Sequence, residues 1–230
     1  MLRLVTATRR SQADFMARSL LGQCLPRLGQ FQALGLHLAH SNTRPLAEVY
    51  NEAIDAAGAD DVLVFVHDDV LIDDWMLSQR LHDGLAAFDV LGVAGNRRVQ
   101  PRQVAWYLQP AANGQTAAPW DHGHLSGAIH HGAGAGLEQL SLYGPSPSPV
   151  RLLDGVFLAA SAARLKGSGV RFDPALGFHF YDLDFCLSAH RAGLRLGTWP
   201  IAITHESRGG SINTQAWRDA RAVFLNKWFS

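Results

Sequence analysis

The chain has 230 residues, 47% of them apolar and 17% charged, a make-up that fits a soluble globular domain with one sizeable core and is too short for two independent ones. Twenty basic and twenty acidic side chains cancel, so the charge points neither to nucleic acid nor to an anionic membrane surface, and a small-molecule partner is expected. Two cysteines in apolar helical patterns, Cys24 and Cys186, fit reduced thiols; with no stretch of signal-peptide or membrane-spanning character, a cytoplasmic protein is expected.

Leu2 to Ala7 reads as a first strand, and Ser11 to Leu21 as a helix capped by Ser11 with Phe15, Leu20 and Leu21 on its apolar side. The turn between them carries Thr6, Thr8 and Arg9, whose donors suit a base or phosphate, although a solvated turn accounts equally well for Arg9 and Arg10. A second strand is expected over Ala33 to Ala39 and a second helix over Pro45 to Ala57, with Leu46, Val49, Tyr50, Ala53 and Ile54 as its buried stripe. Asn51 lies inside that helix and reads as solvent-facing.

Val62 to Asp74, VLVFVHDDVLIDD, is the most informative stretch. An apolar run of the kind found in strands buried on both faces ends at His67 in two adjacent carboxylates, Asp68 and Asp69. In open α/β sheets the carboxyl ends of the strands face the ligand crevice, and two neighbouring carboxylates there call for a shared cation or a set of donors. The competing reading, a turn or helix cap, is met by Asp73, which precedes a helical pattern from Trp75 to Phe88. A further strand follows at Val90 to Ala94. Strands separated by helices predict a doubly wound, mostly parallel sheet. The first strand-to-helix turn, TATRRS, lacks the dinucleotide-binding glycines, and the phosphate-loop lysine motif is also missing.

Pro110 to Pro149 is rich in Gly, Pro, Ala, Ser and His and reads as a long, partly mobile loop acting as a substrate lid. His122, His124, His130 and His131 raise a zinc alternative, which their spacing does not favour. RLLDGVFLAAS then gives a strand interrupted at Asp154 and Gly155, either a bulge where a ligand nears the backbone or a plain turn. A helix is expected from Tyr181 to Gly193; of Asp182 and Asp184 at its entrance, one can enter a site while the other faces solvent or caps the helix. Ile201 to His205 reads as a short strand, ESRGGS follows, and Thr214 to Trp228 forms a terminal helix expected to pack its apolar stripe on the domain.

Four segments in this order, the apolar strand with HDDV, the LDG strand, YDLDFCLSAHRAG and THESRGGS, together with NTRPLAEVYNEAIDAAG, resemble inverting nucleotide-sugar glycosyltransferases of family two. The resemblance covers most of the chain. It implies a GT-A fold: one α/β domain with a mostly parallel central sheet flanked by helices, divided into a Rossmann-like nucleotide-sugar-binding half (1–100), a mobile loop region (101–149) and an acceptor half (150–230). It further implies a divalent metal, Mn2+ or Mg2+, held by Asp69 and His205, and a catalytic base at Asp182. Donor contacts would come from Thr6, Thr8, Arg9, Asn42, Asn51, His67, Asp68, Asp154 and Gly155. His67 stands where the family's Asp-x-Asp motif has its first carboxylate, and Tyr181 replaces a Glu. The implied reaction moves a sugar from a UDP-, GDP- or dTDP-sugar to a hydroxyl acceptor such as a cell-envelope polysaccharide, a glycan or a lipid-linked acceptor, with peripheral membrane contact compatible. A metal-dependent nucleotidyltransferase and a degenerate nucleotide-sugar-binding module are the alternatives.

Overall fold

A computed structural model describes residues 1–110, 118–132, 139–206 and 214–230. The N-terminal strand β1 (Leu2–Ala7) pairs in parallel with β2 (Leu34–Ala39) on one side and β3 (Val62–Val66) on the other. The helix expected from Ser11 to Leu21 is two, α1 (Gln12–Arg18) and α2 (Leu20–Leu28). Ser19 breaks them: its backbone is extended, its hydroxyl donates to the Phe15 carbonyl and accepts from the Gly22 amide, so one residue ends one helix and caps the next. Helix α3 (Leu46–Ala56) buries Val49, Tyr50, Ala53 and Ile54 as its 3.6-residue stripe requires.

The main sheet has the order β2-β1-β3-β11-β5-β12-β9, where β5 is Val90–Gly92, β9 Ser148–Val150, β11 Phe157–Ser161 and β12 Leu196–Thr198. It is mixed, and this corrects the mostly parallel expectation: three neighbouring pairs are parallel and three antiparallel. The cause is β11. It enters between β3 and β5 directly from the Asp154–Gly155 turn, with the Val156 carbonyl accepting the His67 amide, and so runs antiparallel to both. Local strand and helix patterns do not reveal where a late strand inserts.

A second sheet has the order β10-β6-β7-β13-β4, with β8 added on β7. Its strands are β4 (Val70–Ile72), β6 (Ala94–Asn96), β7 (Leu125–His131), β8 (Gln139–Gly144), β10 (Leu152–Leu153) and β13 (Ile203–His205). The segment read as a long loop and lid therefore holds β7, β8 and most of β9. Gly, Ser and His in these strands give weak β signals, and pairing rather than propensity orders them. Of that segment, 111–117 and 133–138 lie outside the described residues, as does most of ESRGGS (207–213). The strand expected at Val90 to Ala94 is likewise split between the two sheets. Strands from both sides of residue 100 share each sheet.

Helices α4 (Leu77–Ala87), α5 (Ala162–Ser168), α6 (Tyr181–Arg191) and α7 (Gln215–Phe229) complete the described α-helices. Asp73 does not cap α4; its carboxylate takes Arg27 and the Thr204 hydroxyl, and Asp74 instead accepts the Met76 amide. The terminal helix docks as its stripe predicts, with Phe180 5.4 Å from Trp217 and 5.2 Å from Phe224 between ring centroids. Asp184 departs from expectation. It is fully buried and neither caps α6 nor meets solvent, because Lys227 of α7 pairs with it at 2.9 Å and the Trp228 indole donates to it at 2.6 Å. Tyr50, Phe65, Phe172 and Phe185 form an aromatic centre of the core, and both cysteines are free and buried. Among the described residues no helix is long and apolar enough to cross a membrane.

Candidate active site

Strand β3 ends at Val66, and the chain runs through His67, Asp68 and Asp69 into β4. Asp68 and Asp69 form the turn between the two strands, and their side chains take different partners. The two carboxylates expected to share a cation accordingly diverge. Asp68 accepts the Thr8 hydroxyl at 2.5 Å and its carbonyl accepts the Leu21 amide, tying it to the exit of β1. Asp69 meets His205, the last residue of β13. Antiparallel pairing sets His205 opposite Val70, and its Nε2 comes within 3.3 Å of an Asp69 carboxylate oxygen.

His67, Asp69 and His205 each bring one ligand atom within 4.8 Å of the others. Donors around one ion with bonds of roughly 2.2 Å stand up to about 4.4 Å apart, so at most a few tenths of an ångström separate this trio from a coordinating set. Two imidazoles and a carboxylate are a chemically competent donor set for a divalent transition ion. His67 is thus the third member of a cluster for which the sequence named only Asp69 and His205. Enclosure by protein lowers the His67 pKa, against the opposing pull of Asp69, and favours the neutral ring that can ligate.

From this cluster a short bridge leads to Asp182. The Tyr181 hydroxyl lies 2.8 Å from His67 Nε2 and donates to the Gly155 carbonyl at 2.9 Å. The Gly155 amide donates to Asp182 Oδ2 at 3.2 Å, and the Leu183 amide to Oδ1 at 2.9 Å. Tyr181 and Asp182 open α6 after Phe180, whose φ of 64° is a left-handed conformation held by the stacking of its buried ring on α7. Gly155 is required by packing: a Cβ there would stand 2.2 Å from the Tyr181 hydroxyl oxygen and 3.0 Å from the Asp182 Cβ. The Asp154 carboxylate closes the turn on the Val156 amide. Burial and then the charge of Asp154 raise the Asp182 pKa to about 7, with the two amides pulling the other way.

Aromatic residues that sequence reasoning passed over line the same edge. Burial and then the charges of Asp154 and Asp182 raise the Tyr107 pKa. Tyr107 packs 4.8 Å from Trp120, an exposed indole that also stacks with Tyr143 and His122. The Tyr143 hydroxyl lies 3.4 Å from His131 Nε2, and the His131 ring is 5.9 Å from that of His205. The available signal was the recurrence of Trp and Tyr on both sides of a segment otherwise poor in apolar residues.

The remaining candidates separate. Asn42 sits past the end of β2, its backbone amide donating to the Thr8 carbonyl at the exit of β1 and its side chain closing on Arg44; Arg9 is exposed nearby. Thr6 is fully buried, and both ends of the Asn51 side chain are spent on the Phe172 backbone, so Asn51 clasps two segments and does not face solvent as its position predicted. The four histidines of the zinc alternative disperse: His122 stacks on Trp120, His124 meets Asp121, His130 meets Thr204, and His131 lies beside Tyr143 and His205.

A profile of the glycosyltransferase-like family matches residues 33–228. No curated protein sequence matches the chain. Among solved structures, GalNAc-T7 with UDP, GalNAc and Mn2+ superposes with a TM-score of 0.53 and 10% identity, over 100% of this chain and 48% of that one. TarS of S. aureus gives 0.49 at 13% identity, over 89% of this chain and 60% of that one. The catalytic domain of Drosophila beta1,4-galactosyltransferase 7 with xylobiose gives 0.47 at 11%, over 96% and 79%. The likeness to GalNAc-T7 is one of fold, and the chain spans about half the length of that structure.

Proposed function

Since this chain belongs to the glycosyltransferase-like family, we propose that it transfers a sugar from a nucleotide diphosphate sugar to a hydroxyl acceptor with inversion at the anomeric carbon. The observation that carries this reading is the bridge from His67 through Tyr181 and Gly155 to Asp182, which links a metal-competent cluster to a carboxylate poised for proton transfer.

In this reading His67, Asp69 and His205 hold a divalent cation, and their nitrogen donors favour Mn2+ over the oxygen-seeking Mg2+. When bound, the cation offsets the negative charge that develops on the departing diphosphate. Asp182 takes the proton of the attacking hydroxyl, a contribution of roughly a hundred- to ten-thousand-fold, and a pKa of about 7 leaves it both ionised and basic near neutral pH. The diphosphate leaves without a proton, so no second carboxyl acid is required, in contrast to a glycosidase. Asp154 and Gly155 line the transferred sugar. Thr8, Arg9, Asn42 and Asp68, at the exits of β1, β2 and β3, serve the nucleotide. Residues 1–100 would then supply most of the donor side, and 150–230 the acceptor side together with His205 and Asp154–Gly155. Two buried free thiols and a nucleotide-sugar donor suit a cytoplasmic setting.

The test is to incubate the protein with UDP-, GDP- and dTDP-sugars and Mn2+ and to identify the released nucleotide. Release of a nucleoside diphosphate supports the transferase; pyrophosphate released from a nucleoside triphosphate would replace it with a nucleotidyltransferase. Asp69→Ala should abolish the Mn2+-dependent part of nucleotide diphosphate binding, and unchanged affinity would remove the metal from the reading.

A further inference from the structure

The Tyr181 hydroxyl has one proton to place between the Gly155 carbonyl and the His67 ring. It is 2.9 Å from the Gly155 carbonyl, which can only accept, and 2.8 Å from His67 Nε2, which can do either. Both contacts are satisfied in one arrangement alone: the phenol donates to Gly155, and His67 Nε2 must then carry a proton and donate to the phenol oxygen. The geometry is rigid. Tyr181 is buried at the start of α6, and the Gly155 backbone it holds is packed too closely for a Cβ.

We infer that Tyr181 is a positioning residue that fixes the neutral His67 imidazole in its Nε2–H tautomer, leaving the Nδ1 lone pair as the donor His67 offers to a divalent cation. This rests on the metal-assisted reading above. A histidine ligand whose second nitrogen is tied to a fixed acceptor loses neither tautomer population nor ring orientation on binding, and such outer contacts typically contribute ten- to a hundredfold to metal affinity. The same phenol places the cluster in register with the turn that holds Asp182, so one hydroxyl serves both ends of the site.

Two measurements test this. Long-range proton–nitrogen spectra of the metal-free protein report the His67 tautomer directly: a proton on Nε2 is expected, and a proton on Nδ1 or an even mixture overturns the inference. Binding of Mn2+ alone, followed by the paramagnetic resonance of the free ion, is then compared between wild type and Tyr181→Phe, which keeps the ring and removes the hydroxyl. A ten- to hundredfold weaker affinity is expected; equal affinity in the folded variant overturns the inference while leaving the metal site intact. In a His67→Asp background, which has no tautomer to select, Tyr181→Phe should change Mn2+ affinity less than twofold, and an undiminished effect would assign the loss to packing. Wild-type protein that shows the Nε2 tautomer yet binds no Mn2+ would sink the metal-assisted reading itself.

Discussion

Asp182 receives backbone amides on both carboxylate oxygens, Gly155 on Oδ2 at 3.2 Å and Leu183 on Oδ1 at 2.9 Å. Two fixed donors orient the group, yet burial and Asp154 outweigh them and raise its pKa to about 7. In the proposed role of base it would work only when ionised. The rate at low substrate should therefore climb about tenfold per pH unit below that value and level off above it. A profile flat across the neutral range would remove Asp182 from the proton transfer. Stability should run the other way. The folded carboxyl binds its proton more tightly than the unfolded one, with its ordinary pKa of 3.8, so stability contributed by this group falls as pH rises from 3.8 to about 7.

Asp182→Asn separates the chemistry from the architecture. The amide oxygen can still accept from one of the two backbone donors, while its NH2 cannot accept from the other, and the side chain can no longer take a proton. Turnover should drop by roughly a hundred- to ten-thousand-fold while Mn2+ and nucleotide affinity hold. Retained turnover, measured on protein shown to bind nucleotide, would place the base elsewhere.

Gly155→Ala attacks the same site through space. The added methyl would sit 2.2 Å from the Tyr181 hydroxyl oxygen and 3.0 Å from the Asp182 Cβ, so both must shift. Overpacking of this kind costs about 1–3 kcal/mol, and a misplaced base loses rate beyond what stability explains. Activity should fall at least a hundredfold in a variant that remains folded at assay temperature; near-normal turnover would show that the turn tolerates movement.

Part of this site was legible in sequence: the apolar strand running into His67–Asp69 marked a strand mouth, the resemblance to family-two enzymes pointed to Asp69, Asp182 and His205, and the Asp154–Gly155 interruption left a close contact and a plain turn both open. The two positions that depart from the family motif, His67 and Tyr181, looked like separate losses. They touch each other at 2.8 Å, which no one-dimensional reading could reveal. The insertion of β11 and the aromatic wall of Tyr107, Trp120 and Tyr143 were hidden for the same reason, since pairing across long sequence separations decides both. Asn51 was hidden too: its partner is the backbone of Phe172, 121 positions away.

Asp184 offers a prediction about the fold alone. It points away from the reaction chemistry proposed for Asp182 and meets Lys227 at 2.9 Å and the Trp228 indole at 2.6 Å, fully buried beneath the terminal helix. Removing one partner of a buried pair leaves the other desolvated and uncompensated, which costs about 3–5 kcal/mol in the worst cases. Lys227 keeps Asp173 as a second partner and remains partly exposed, so Asp184→Ala should sit at or below the lower end of that range, near 2–3 kcal/mol. For a chain of this length that lowers the melting temperature by roughly 4–12 °C. Asp184→Asn retains an acceptor for the indole and should lose less. Mn2+ affinity should be unchanged in both, because Asp184 takes no part in the His67, Asp69 and His205 cluster. If Asp184→Ala melts with wild type, the terminal helix is held by its aromatic stripe through Phe180 and Phe224, and the buried pair adds nothing net.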